Sequence, residues 1–487
     1  MLLKVKIKEE HIINIQYFEK YEKYRNYLSS LLAFSCIALV ILAEWGLGDF
    51  FYLIASIVIA IFILISLNKL QLSRKVFVIT GVFLVILAII QIPTWPNLIQ
   101  SSLQSSAFVA AFFLSLSCLR NAASTSNAIE KCGEFLANQN PGKRCLALVL
   151  GGHIFGIILS YGAISLLGSL AERGARQEKN IEIRKIRTKR MLLAVQRGFI
   201  AMTCWSPLTF SIAITTSIIA GSSWSGAAIP CFISALILMG LGLLLDFFYK
   251  SKININSNNL IKKIGSWNTV MPLVFLFIFL LSLIGSIQFF TNLRAVAVVM
   301  LVVPIFSLIW ISCQNYKAKN LNFLYLKTKG RVSEYIFKDI INYKSELILL
   351  IMAAFIGTMA SSIIEPYINN NVMNFSNTPS WLILIGILWI MPITGQIGMN
   401  PILAVYLIAP LLPQATDLGV SPNAIILALT SGWALSGISS PYTASTLLIA
   451  DLGKISAIQA GLRWNGVFTL IGGSLLSIWV VIFSQFL

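Results

Sequence analysis

Trp205-Ser206-Pro207-Leu208-Thr209-Phe210-Ser211 and Ser439-Ser440-Pro441-Tyr442-Thr443-Ala444-Ser445 are nearly the same heptapeptide, written twice at a separation of 234 residues. Ser206, Pro207, Thr209 and Ser211 coincide with Ser440, Pro441, Thr443 and Ser445. Each copy interrupts a long apolar segment, 191–220 and 423–450. A proline has no backbone N–H and crowds the turn before it, so each copy breaks a helix. In lipid such a break is tolerated only where protein or a watery cavity surrounds it. A matched pair of interrupted spans, one per half of the chain, is the sequence mark of a solute-binding site between two repeats.

The rest of the chain is consistent with a membrane protein. Of its 487 residues 57% are hydrophobic and 11% charged, and the mean hydropathy is +0.83. Apolar runs long enough to cross a bilayer recur from Leu28 to Leu487. The longest polar intervals, 1–26 and 314–345, are too short for a soluble domain. Seven scattered cysteines without a CxxC pair exclude a disulfide framework or a zinc site of the usual spacing. The charged stretch 1–23 does not resemble a cleavable leader.

A net charge of +18 could point to nucleic acid, but the Lys/Arg distribution assigns it to the cytoplasmic side of a membrane. Eleven crossings are expected, near 28–44, 50–67, 76–92, 99–118, 191–220, 227–249, 268–288, 295–313, 346–364, 423–450 and 465–486. The apolar stretches 145–171 and 381–412 are read as re-entrant hairpins that leave on the side they entered. With the N-terminus inside and the C-terminus outside, every lysine and arginine except Arg294 then falls on the inner side. If 145–171 crossed instead, the basic run 173–190 would lie outside, against the charge rule.

The expected fold is an all-α polytopic protein with an inverted-topology repeat. Residues 1–27 form a cytoplasmic segment, 28–48 an extra first helix, 49–250 the first repeat, 251–267 a cytoplasmic linker and 268–487 the second repeat. Each repeat holds three crossings, a hairpin, a broken helix and a last full helix.

A broken helix offers the N–H groups and positive dipole end of one half to an anion, and the carbonyls of the other half to a cation such as Na⁺. Candidate solute-binding residues are therefore Ser206, Pro207, Thr209, Ser440, Pro441, Thr443 and Ser445. Gly151, Gly152 and His153 are expected at the turn of the first hairpin, and Gly395, Gln396 and Asn400 at that of the second. A second reading of the same residues stays open, in which the prolines are kinks and the hydroxyls bond the carbonyls that the prolines free. His153 is either a ligand or proton carrier, or a hydrogen-bonded packing residue. Arg197 lies inside the fifth crossing and is expected to snorkel to the cytoplasmic surface. No acidic residue sits at a midplane, so a carboxylate proton relay is poorly supported and neutral oxygens suit Na⁺ better.

Eleven crossings, an extra first helix and two opposed hairpins, each followed by a broken helix, resemble the divalent anion/sodium symporters of the ion transporter superfamily. The resemblance is carried by Ser206-Pro207-Leu208-Thr209 and Ser440-Pro441-Tyr442-Thr443. The Ser-Asn-Thr motif of that family's hairpin tips is not matched by Leu150-Gly151-Gly152-His153 or Thr394-Gly395-Gln396-Ile397. The resemblance implies a homodimer in the cytoplasmic (inner) membrane, with a transport domain moving as an elevator against a scaffold.

The function expected from the sequence is secondary transport of a small anionic, carboxylate-like solute, coupled to Na⁺ or H⁺. Membrane lipid is the surrounding, and no cofactor or nucleic-acid partner is expected. An intramembrane enzyme acting on a lipid-linked or membrane substrate is the alternative. It would need a nucleophile, carboxylates or metal ligands near the membrane and long outer loops. The sequence shows neither the cluster nor the loops, and no catalytic residue is assigned.

Overall fold

A computed structural model describes residues 2–67, 70–176, 178–248, 266–316, 321–371 and 378–485. Residues 251–265 of the expected linker lie outside the described residues. The chain folds into α1 (Leu2–Glu44), α2 (Phe50–Ser66), α3 (Leu72–Gln91), α4 (Trp95–Ser124), α5 (Asn127–Ala137), α6 (Pro141–Leu159) and α7 (Gly162–Arg176). Next come α8 (Ile181–Met202), α9 (Phe210–Ile218), α10 (Trp224–Phe248), α11 (Met271–Thr291), α12 (Ala295–Asn315) and α13 (Leu321–Glu334). The last six are α14 (Ile340–Asn371), α15 (Ser380–Gln396), α16 (Pro401–Ile408), α17 (Pro422–Ser439), α18 (Ala444–Gly453) and α19 (Trp464–Gln485).

The helix limits follow from local chemistry. Asn180 caps α8 through bonds from Glu182 N and Ile183 N, and Ser421 caps α17 through Ala424 N. Pro141, Pro401 and Pro422 stand in the first turn of their helices, where no N–H is needed. Among the described residues ten helices are long and apolar enough to cross a membrane, and α2, α15 and α16 are shorter apolar helices. The protein is an all-α polytopic membrane protein. The expected N-terminal segment is not separate from the first helix, because α1 is continuous from Leu2.

The chain divides into two compact units. The first comprises 1–118 and 303–359. There α1 packs on α2, Ser106 Oγ donates to Ile351 O (3.1 Å), and Tyr335 OH donates to Leu114 O (2.7 Å). Tyr335 opens a π-helical turn, Tyr335–Asp339, that joins α13 to α14. These long-range bonds satisfy polar groups within apolar helices, where no water would do so.

The second unit comprises 119–302 and 360–487 and contains the stretches 145–171 and 381–412 and both broken helices. Here α6 packs along α8, and α15 along α17, in corresponding fashion. The reason lies in glycines. A Cβ on Gly198 would run into Val149 O, and one on Gly432 into Leu388 O. Gly198 and Gly432 are again 234 residues apart. Small residues let two membrane helices approach closely enough for dispersion forces to act between backbones.

The first hairpin departs from the sequence expectation. Gly151, Gly152 and His153 lie in the middle of α6, not at a turn. The chain reverses at Ser160, the C-cap of α6, which has a φ of +50°. Gly152 serves close packing instead, since a Cβ there would meet Val195 O. The second turn falls at Ile397–Asn400, with Gly398 at φ +91° where a side chain would be strained.

Candidate functional site at two matched helix breaks

Proline at position i withdraws the donor that residue i−4 would have used. At the first break the deprived carbonyl is Thr203 O, and at the second Gly437 O. In both, the last serine of the motif supplies the missing donor: Ser211 Oγ bonds Thr203 O, and Ser445 Oγ bonds Gly437 O. The remaining bonds also correspond. Leu208 N donates to Ser206 Oγ (3.3 Å) and Tyr442 N to Ser440 Oγ (3.2 Å). Thr209 Oγ1 bonds Ser206 O (2.7 Å), as Thr443 Oγ1 bonds Ser440 O (3.0 Å). The threonine and serine hydroxyls of each motif adjoin, at 3.0 Å in the first and 3.4 Å in the second.

The motif is thus a self-satisfying helix break, in which the threonine and the last serine of each copy bond carbonyls at their own break. Thr209 and Thr443 stand at the N-cap positions of α9 and α18 with extended backbones, and neither side chain caps the helix below. Both half-helices therefore start with their positive dipole ends uncapped by a side chain.

The two breaks belong to one neighbourhood of the second unit. α8 meets α17 where a Cβ on Gly437 would touch Ile200 Cδ1. Gln196 Nε2 donates to Thr446 Oγ1 (3.4 Å), joining α8 to α18. α9 packs on α16 and α17, and α18 on α7 and α8, so each half-helix after a break lies against elements of the other repeat.

The hairpin residues divide between contacts with the breaks and helix packing or capping. Ser440 Oγ donates to Gly395 O (2.6 Å), so the second hairpin tip is fastened to the second break. Gln396 Nε2 donates to Ser439 Oγ (3.2 Å) while its buried Oε1 has no partner. Ser436 is buried with its hydroxyl unpartnered, against Gly395. Asn400 Oδ1 accepts Ile402 N (2.8 Å) and caps α16. At the first break the partner is aromatic. Trp205 Nε1 donates to His153 Nε2 (3.1 Å), which places the His153 proton on Nδ1, facing Gly198 O at 3.3 Å. Gly151 packs on Leu136 and Leu167. Pro207 is buried and Pro441 half-buried.

Sequence reading did not find Gln196, Thr446, Asn465 or Ser436. Polar residues in apolar helices carried the signal for Gln196 and Asn465, since they are costly in lipid without partners. Among the described residues no cluster of three His, Cys, Asp or Glu side chains could hold a metal ion.

The fold is one already known among membrane proteins. The chain is similar to the YdaH transporter of Alcanivorax borkumensis, a protein of unusual topology, with a TM-score of 0.54 and 12% identity over 85% of this chain and 99% of that one. It is also similar to MtrF of Neisseria gonorrhoeae, which illuminates a class of antimetabolite efflux pumps, with a TM-score of 0.51 and 12% identity over 85% and 96% of the two chains. At that identity the likeness is one of fold. No family model and no curated protein matches the sequence.

Proposed function

We propose that the protein is a secondary active transporter of a small anionic, carboxylate-like solute, with its site at the two helix breaks. The observation that carries this reading is the pair of corresponding breaks in one unit, each opening onto a half-helix with no side-chain cap. Discontinuous helices of this kind, paired across repeats, hold substrate and coupling ion in secondary transporters. Both similar folds are membrane proteins that move solutes, YdaH as a transporter and MtrF as an efflux pump. The finer resemblance to divalent anion/sodium symporters is supported by the Ser-Pro-x-Thr loops.

In this reading 145–171 and 381–412 are re-entrant, and the N-terminus is cytoplasmic in an inner membrane. A transport domain moves as an elevator against a scaffold within a homodimer. The coupling ion is Na⁺ or H⁺. The unpartnered Gln396 Oε1 favours Na⁺, being a neutral oxygen beside Ser439 and Gly395. The test is uptake of labelled mono- and dicarboxylates into proteoliposomes under an imposed Na⁺ or H⁺ gradient. Gradient-driven accumulation of at least one carboxylate is expected. Equal flux with and without either gradient, or uptake of neutral amides alone, overturns the reading.

A further inference from the structure

We propose that Arg197, acting through Asn465 and Gln196, makes the second break the electropositive seat for the solute's anionic group. The solute comes from the transport reading above; the charge comes from the geometry alone. Arg197 does not snorkel. It is 7% exposed, its Nε donates to Asn465 Oδ1 (3.4 Å), and its guanidinium donates to Gly242 O (3.3 Å). The face of Phe468 lies 4.8 Å from its central carbon. Among the described residues Arg197 forms no ion pair. Asp246, one turn along α10 from Gly242, is held by Arg190 through two bonds of 2.7 Å. The hydrogen-bond partners of Arg197 are neutral and the nearby Asp246 carboxylate is engaged by Arg190, so much of its field persists where dielectric screening is weak.

The two amides carry that field in one direction. Asn465 presents Oδ1 to Arg197 and donates from Nδ2 to Gln196 Oε1 (3.0 Å). Gln196 then donates from Nε2 to Thr446 Oγ1 (3.4 Å). Each amide thus turns its oxygen toward the guanidinium and its NH₂ toward α18. The opposite orientation of Asn465 would set NH₂ against guanidinium and oxygen against Ala460 O, which now accepts its second N–H at 3.1 Å. Ala460 belongs to a π-helical turn, Gln459–Arg463, of a kind often found where function requires it.

The chain of amides ends on Thr446, in the first turn of α18, where the half-helix dipole is also positive. The unpartnered hydroxyl of Ser436, 1% exposed beside Gly395, is a further donor at the same break. Among the described residues the first break has only an uncharged counterpart of this chain, Cys231 Sγ and Thr430 Oγ1 at 3.6 Å. At the same separation Thr446 corresponds to Ile212, and Gln196 and Arg197 to Thr430 and Ser431.

The test is charge-selective labelling of a thiol introduced by Tyr442→Cys, at a residue of the second break that is 63% exposed. Rates are measured with anionic sulfonatoethyl and cationic trimethylammonioethyl methanethiosulfonate, read by mass on the peptide carrying residue 442. The anionic reagent should react faster than it does with a free thiol standard, relative to the cationic one. Arg197→Gln and Gln196→Leu should each lower that ratio by roughly threefold or more, and Arg197→Lys should preserve most of it. An unchanged ratio in both altered chains overturns the proposal. A fall with Arg197→Gln alone assigns the field to the guanidinium and overturns the relay. Where Arg197→Gln does not accumulate as folded protein, Gln196→Leu decides, since it leaves the cation in place. No transported solute enters the assay, so failure of carboxylate uptake and failure of this proposal are separate results.

Discussion

The first and second breaks share a backbone and differ in nearly everything around it. Both free one carbonyl and return a serine hydroxyl to it. Around the first, Trp205 stacks on His153 at 6.0 Å and meets Phe232 and Phe277 edge-on at 4.9 and 6.3 Å. Trp224 Nε1 closes the group by donating to Trp205 O (2.9 Å). Around the second stand Gln396, Ser436, Ser439 and the exposed Tyr442, with the Arg197 chain behind them. A repeated loop supplies a repeated geometry; its neighbours then surround one copy with aromatic rings and the other with polar side chains.

The largest expected effect tests what the two regions share. Gly198→Ala and Gly432→Ala each drive a Cβ into a backbone carbonyl of the neighbouring helix. Each should cost about 1–3 kcal/mol or more, seen as loss of monodisperse protein and a lower Tm in detergent. If either alanine is tolerated at the parental Tm, the helix approach is looser than described.

The next separates the breaks. Ser211→Ala leaves Thr203 O without the hydroxyl that replaces its lost donor. Ser445→Ala leaves Gly437 O with Thr443 Oγ1 at 3.0 Å and Thr446 Oγ1 at 3.4 Å. Destabilisation of about 1–3 kcal/mol is expected for Ser211→Ala, the cost of an unpaired, part-buried acceptor. Ser445→Ala should cost about 0.5–1.5 kcal/mol, the worth of an ordinary bond with a substitute at hand. Equal losses in thermal or denaturant unfolding would remove the distinction.

Thr209→Val and Thr443→Val probe the same asymmetry in solute binding. Removal of either hydroxyl should weaken stability by about 0.5–1.5 kcal/mol. Only Thr443→Val should also raise the apparent KM for a transported carboxylate, by roughly threefold to tenfold, because Thr443 adjoins the polar break. A KM change confined to Thr209→Val would reverse the assignment. The smallest effect on uptake is expected for Trp205→Phe, which removes the donor to His153 Nε2 while keeping an aromatic ring. A stability loss of about 1–3 kcal/mol, from an unpaired buried acceptor, with an unchanged pH profile of uptake is the outcome of a packing role for His153. A shifted profile would make it a proton carrier.

The sequence by itself determined that the chain crosses a membrane repeatedly and that two helices break at Pro207 and Pro441. Those properties are local. Apolar length decides insertion, and a missing N–H breaks a helix wherever it stands. The second hairpin turn was legible for the same reason, since Gly398 adopts a backbone conformation that other residues resist. Gly151 and Gly152 misled because a glycine pair serves a turn and a close helix contact equally well, and only α8 lying against α6 decides between them. The motif hydroxyls posed the same choice between ligand and backbone partner, and the folded loop engages them with its own carbonyls. Arg197 could have reached water from its depth in α8. Tertiary packing of α10 and α19 buried it instead, because Gly242 leaves room for its stem and Asn465 meets its Nε. Burial is a property of neighbours distant in the chain, and so the charge at the second break belongs to the tertiary structure alone.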